Sequence, residues 1–161
     1  MLSATQQYHM YDRILVPTDG SPSMETVVDH ALELVRVHDA TLHGLYVVDT
    51  GNFATLPVET SWDGVTELLR DEGEQAVADF EEMVGEVPVE TAIREGNPSR
   101  EIVEYAREND FDTVVMGTHG RGGIDRLLLG SVAERVVRAT PVPVVTVPVS
   151  EAAPEARAVR S

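Results

Sequence analysis

The chain has 161 residues, a length that favours one domain and suffices for a full core without covalent staples. Its 12 basic and 28 acidic residues give a net charge of −16; every basic residue is Arg, and Lys and Cys are absent. These counts exclude disulfides, thiolate metal sites and a Cys nucleophile. They also exclude a Lys-bearing Walker phosphate loop and a Schiff-base Lys, and an acidic surface of this kind repels nucleic acid.

The acidic excess without Lys reads as adaptation to a salt-rich cytosol, where a Debye length of about 3 Å at 1 M salt screens self-repulsion. No apolar run approaches the roughly 18 residues of a membrane span. The opening MLSATQQYHM has neither the basic nor the apolar region of a signal peptide, so a cytoplasmic protein is expected. Residues 1–9 read as a flexible extension, 10–149 as a single domain and 150–161 as a flexible tail. Met10 stands as an alternative start.

The apolar run Ile14-Leu15-Val16-Pro17, ended by Thr18-Asp19-Gly20, reads as a buried strand and a turn. Ser21-Pro22 then reads as a cap with proline at the first helical position, and Met24, Val27, Val28, Ala31 and Val35 recur at helical spacing. Leu42 to Val48 reads as a second strand. Asp49 to Trp62, with Gly51, Asn52 and Pro57, has no period and reads as a loop. Val65, Leu68, Leu69, Ala76, Phe80 and Val84 predict the inner face of a long helix, and Pro88 to Arg94 a third strand. Asn97-Pro98 opens a helix that buries Ile102, Val103 and Ala106. Thr113 to Met116 reads as a fourth strand, Ser131 to Ala139 as a short helix, and Val142 to Val147 as a fifth strand.

This alternation predicts an α/β fold: a five-stranded parallel, doubly wound sheet with helices on both faces. In the order 3-2-1-4-5 the winding reverses between the first and fourth strands, and ligands bind at the carboxyl ends of the strands at such a switch point. Two stretches fall there, Pro17–Ser21 and the glycine-rich segment Gly117–Gly130.

Gly117, Gly120, Gly122, Gly123 and Gly130 crowd that segment. Glycines let backbone N–H groups approach a ligand closely, and consecutive amides form anion-binding concavities. Gly130-Ser131 leads into a helix whose first turn carries free N–H groups and the positive dipole end, a cradle for phosphate. Ser131 offers a hydroxyl and Arg121 a charge. Ser131-x-x-Glu134 is equally a capping box, and Asp19 before Gly20 is equally a turn residue bonding the next amides. His119 lacks a ligand spacing with the other histidines, so no metal site is expected. Asp125-Arg126 reads as a polar corner and Leu127-Leu128-Leu129 as an anchor for the loop.

The spacing Gly117-x2-Gly120-x9-Gly130-Ser131 resembles the ATP-binding motif of the universal stress protein family. So do the start, Tyr11-Asp12-Arg13-Ile14-Leu15-Val16-Pro17-Thr18-Asp19-Gly20-Ser21, and the ending, Thr140-Pro141-Val142-Pro143-Val144-Val145. The resemblance covers about Met10 to Val149. It implies ATP as the ligand, with Mg²⁺ held through the phosphates. By the resemblance, Asp19 lies near adenine and ribose, flanked by Pro17 and Thr18. Val47 meets the adenine edge through its backbone, and Met116 packs beside base or ribose. Gly117 and Gly120 begin the phosphate loop; Gly130, Ser131 and Val132 complete it. The resemblance also implies a homodimer, paired through Val142–Val147.

No catalytic constellation accompanies this cradle: Asp19 is the nearby carboxylate, and no second acidic cluster or general base stands beside it. The reading is therefore an ATP-binding stress-response or regulatory protein whose occupancy biases conformation or the binding of a regulatory partner protein. The alternatives are a slow ATPase or a nucleotide or phosphate transferase on the same site, and a nucleotide-free dimeric adaptor.

Overall fold

The computed structural model describes residues 10–50, 62–118 and 129–149, with the backbone alone for 62–66. The elements run β1 (Arg13–Thr18), α1 (Met24–His38), β2 (Thr41–Asp49), α2 (Trp62–Val84), β3 (Val89–Gly96), α3 (Pro98–Glu108), β4 (Thr113–Gly117), α4 (Ser131–Ala139) and β5 (Val144–Val147). All strand pairs are parallel, in the order β3-β2-β1-β4-β5. The sequence-based fold class and strand order are both borne out.

Side chains alternate across a strand, and the sheet sorts them into two cores. Ile14, Val16, Leu42 and Val115 pack with α1 and α2. Leu15, Leu45, Val114 and Met116 pack with α3 and α4. Both faces are covered, which is why the strands read as unbroken apolar runs. Phe80 of α2 is fully buried and packs so closely on Gly44 that any Cβ there would collide with the ring.

Three local expectations are corrected. Ser21 does not cap α1. The chain enters that helix through backbone bonds from Met24 to Ser21, Glu25 to Pro22 and Thr26 to Ser23, and Ser23 holds the cap position with helical dihedrals. Leu68 does not line the core; it is 62% exposed. The buried stripe of α2 runs through Gly73, Ala76, Phe80 and Val84, and Gly73 packs closely on Tyr46. β5 begins at Val144, not Val142: its ladder to β4 opens with the Val114 N–H donating to the Pro143 carbonyl at 3.1 Å, which also accepts the Thr113 hydroxyl at 2.8 Å, and the first pair is Val114 with Val144.

The amino ends of the central strands are tied together. The Asp112 carboxylate accepts the Asp12 and Arg13 N–H groups at 2.7 and 2.9 Å. The Asp112 N–H donates back to the Arg13 carbonyl at 2.9 Å. The Arg13 guanidinium donates to the Asn109 carbonyl at 2.9 Å and stands over the Phe111 ring. The buried His43 meets the edge of that ring, 4.8 Å between centroids. Its Nε2 has no hydrogen-bond partner among the described residues and lies 3.6 Å from Glu90. Burial pushes its pKa below the ordinary 6.5, the Arg13 charge pushes the same way, and Glu90 opposes both.

Candidate nucleotide site

The carboxyl ends of the same strands differ. After β1 the chain turns on its own side chains. The Asp19 Oδ1 accepts the Ser21 N–H at 2.9 Å and the Ser21 hydroxyl at 2.7 Å, and Gly20 N–H donates to the Thr18 hydroxyl at 3.1 Å. Gly20 takes φ +79°, a conformation that suits glycine. The turn reading of Asp19 therefore holds. Among the described residues its hydrogen bonds fall on Oδ1.

Pro17, Val47 and Met116 share one face of the sheet. Leu15 and Leu45 belong to the α3/α4 core, so by alternation Pro17 and Val47 point the same way. Val47 is half-buried at the edge of that core, and Met116 is buried within it. β4 ends at Gly117.

Thr118 then fixes the neck of the glycine-rich loop. Its N–H donates to the Val147 carbonyl at 3.0 Å, its carbonyl accepts the Gly130 N–H at 2.6 Å, and its hydroxyl accepts the Val149 N–H at 3.3 Å. One residue thus joins β4, the strand leaving β5 and the start of α4. Sequence reasoning passed over Thr118; a hydroxyl residue directly after a strand and inside a glycine-rich motif was the available signal. Gly120 and Arg121, with His119, Gly122, Gly123, Asp125, Arg126, Leu127 and Leu128, lie outside the described residues, as does 51–61 of the expected loop.

The capping reading of Ser131 is corrected. Gly130 is the N-cap, with φ −64° and ψ 160°, and no side-chain cap bond is made. The first helical bond runs from Glu134 N–H to the Gly130 carbonyl at 2.9 Å, while the Glu134 carboxylate pairs with Arg138 at 3.0 Å. Ser131 therefore stands at the first helical position, with its hydroxyl unused for capping. The N–H groups of Ser131, Val132 and Ala133 have no acceptor within the helix. Gly130 is in ordinary extended backbone open to any residue, so its dihedrals do not require glycine; what glycine adds is room for close approach. Amides without an acceptor in the helix, a hydroxyl and the positive end of α4 come together at the carboxyl end of β4.

Such an arrangement defines an open, doubly wound α/β protein whose topological switch point lies between β1 and β4. The comparisons with known proteins agree. The profile of the universal stress protein family matches residues 10–148. Universal stress protein MJ0531 of Methanocaldococcus jannaschii is 42% identical over 141 residues, covering 86% of this chain and 83% of that protein. The solved structure of MJ0577 from the same organism superposes with a TM-score of 0.74 at 28% identity, over 86% of this chain and 96% of that one. A universal stress protein solved in complex with cAMP superposes with a TM-score of 0.55 at 29% identity, over 85% and 96% of the two chains. The chain belongs to the universal stress protein family. Among the described residues no helix is long and apolar enough to cross a membrane.

Proposed function

We propose that this protein binds ATP in the crevice between β1 and β4 and that occupancy biases its contacts with other proteins in a stress response. The observation that carries the reading is the 2.6 Å bond from Gly130 N–H to the Thr118 carbonyl. It sets the first turn of α4, whose amides have no acceptor within the helix, directly against the end of β4. A phosphate there meets the Ser131, Val132 and Ala133 N–H groups and the Ser131 hydroxyl. Those donors fit an anion despite the chain's net charge of −16, because the interaction is local and molar salt screens the rest. Mg²⁺ is carried on the phosphates and water in this reading. Asp19, through Oδ2, accepts from a ribose hydroxyl, with Pro17, Thr18, Val47 and Met116 around the nucleoside. The relative in complex with cAMP supports an adenine nucleotide.

The same clasp gives occupancy a route outward. Thr118 holds the phosphate loop and the chain leaving β5, and β5 is an edge strand. An exposed edge invites pairing, so the homodimer is placed at Val142–Val147 and the regulatory protein partner beside it. A ligand shifts such contacts only by favouring one arrangement over another.

The test is thermal unfolding of nucleotide-stripped protein in molar KCl with Mg²⁺, comparing ATP, ADP, AMP and GTP. Ligand at about 100 times its Kd adds roughly 2.7 kcal/mol. A shift with ATP that disappears in a folded Gly130→Val variant supports the site. No shift with any nucleotide contradicts it.

A further inference from the structure

A proline in a central strand needs an explanation, because it cannot donate to the ladder and is ordinarily confined to edges and bulges. β1 is the middle strand of the sheet, and Pro17 is buried inside it. The register shows which neighbour loses the bond. Backbone groups of successive residues in a parallel strand point to alternate sides. The Asp12 carbonyl accepts from Thr41 at β2, and the Arg13 carbonyl accepts from Asp112 at β4. Even-numbered residues of β1 therefore face β2, and odd-numbered residues face β4. Pro17 faces β4.

The ladders follow this parity. β1 pairs with β2 along its whole length, from Arg13 opposite Thr41 to Thr18 opposite Tyr46. It pairs with β4 only at Ile14 and Leu15, although β4 continues to Gly117 and is paired with β5 to that point. With Leu15 opposite Val114, the next donor β1 owes to β4 is the N–H of residue 17, opposite the Val115 carbonyl. Proline has none. The pairing stops one residue pair short of the place where that bond belongs.

We propose that Pro17 is a positioning residue whose missing N–H ends the β1–β4 ladder and so holds the switch-point crevice open for the nucleoside. This rests on the nucleotide-binding reading above and adds its cause: the crevice is built by a backbone deletion, not only by the reversal of winding. An N–H at position 17 would let the ladder extend by one bond toward the turn at Asp19. The two strand ends would then draw together where the ligand enters.

The test uses the full-length protein and two variants, Pro17→Ala and Pro17→Val. Both restore the N–H, one with a smaller side chain and one of similar bulk. Amide hydrogen exchange on ligand-free protein reads the ladder directly. The expected result is an amide at position 17 protected like those of Leu15 and Val16. Nucleotide affinity, measured by calorimetry, should weaken by about tenfold in both variants, about the effect of one lost good hydrogen bond. Tm without nucleotide should hold or rise in Pro17→Val. A position-17 amide that exchanges like a loop amide in both folded variants overturns the proposal, whatever the affinity. Unchanged affinity with a protected amide also overturns it. If the wild type binds no nucleotide, the nucleotide reading fails by itself, while the exchange result still decides whether Pro17 ends the ladder.

Discussion

The two ends of one sheet are built on opposite rules. At the amino end the central strands are tied: the Asp112 carboxylate takes two N–H groups from β1 and its approach, and Arg13 is held by Asn109 and Phe111. At the carboxyl end backbone groups are left without partners in the ladder or helix. Pro17 interrupts the ladder to β4, and the first amides of α4 have no acceptor within the helix. The contrast separates a closed end of the sheet from an open one, and the proposed nucleotide site lies at the open end.

Substitutions can break that contrast, and the largest effect is expected at the tied end. Asp112→Ala leaves the Asp12 and Arg13 amides without their charged acceptor and should cost about 2–3 kcal/mol in urea unfolding, with nucleotide affinity of the folded variant unchanged. At the open end Asp19→Ala removes the acceptor of the Ser21 N–H and hydroxyl. About 1 kcal/mol of stability should be lost, together with a clear fall in nucleotide affinity by titration calorimetry. An effect on stability alone would reduce Asp19 to a turn residue.

Acid sharpens the comparison at the tied end. The His43 pKa is depressed in the fold, so the unfolded chain binds more protons over the window just below the ordinary value of 6.5. Its contribution is complete above about pH 6.5 and is lost as pH falls toward the folded-state value. Denaturation midpoints measured from pH 7.5 to 5 should fall, and His43→Leu should flatten that part of the profile. The smallest stability effect is expected at Ser131→Ala. A capping serine would cost about 1 kcal/mol; with Gly130 as the cap, stability should change by less than about 0.5 kcal/mol while ATP binding weakens.

The sequence made one level of this legible and hid another. The apolar runs Ile14–Val16 and Val142–Val147, broken by amphipathic stretches, disclosed the parallel sheet because burial on both faces leaves that pattern. Asn97-Pro98 disclosed the start of α3, where the Asn97 side chain accepts the Arg100 N–H. What stayed hidden depends on register or on distance along the chain. Asp112 meets Asp12 from a hundred residues away, and no local pattern announces it. The family resemblance singled out Pro17, but its orientation toward β4 exists only once the ladders are aligned. Leu68 misled because it is apolar yet exposed, off a buried stripe that passes through Gly73, a residue with no apolar signal that packs on Tyr46. Ser131 misled by one residue: the capping-box pattern was present, and the cap formed at Gly130.

The most direct measurement is amide hydrogen exchange across the whole chain with and without ATP and Mg²⁺ in molar KCl. The account predicts new protection at 18–21, at 117–118 and at 130–133, with the amides at Asp12, Arg13 and Asp112 unaltered. Protection spread evenly over both ends of the sheet, or none at the first turn of α4, would contradict it.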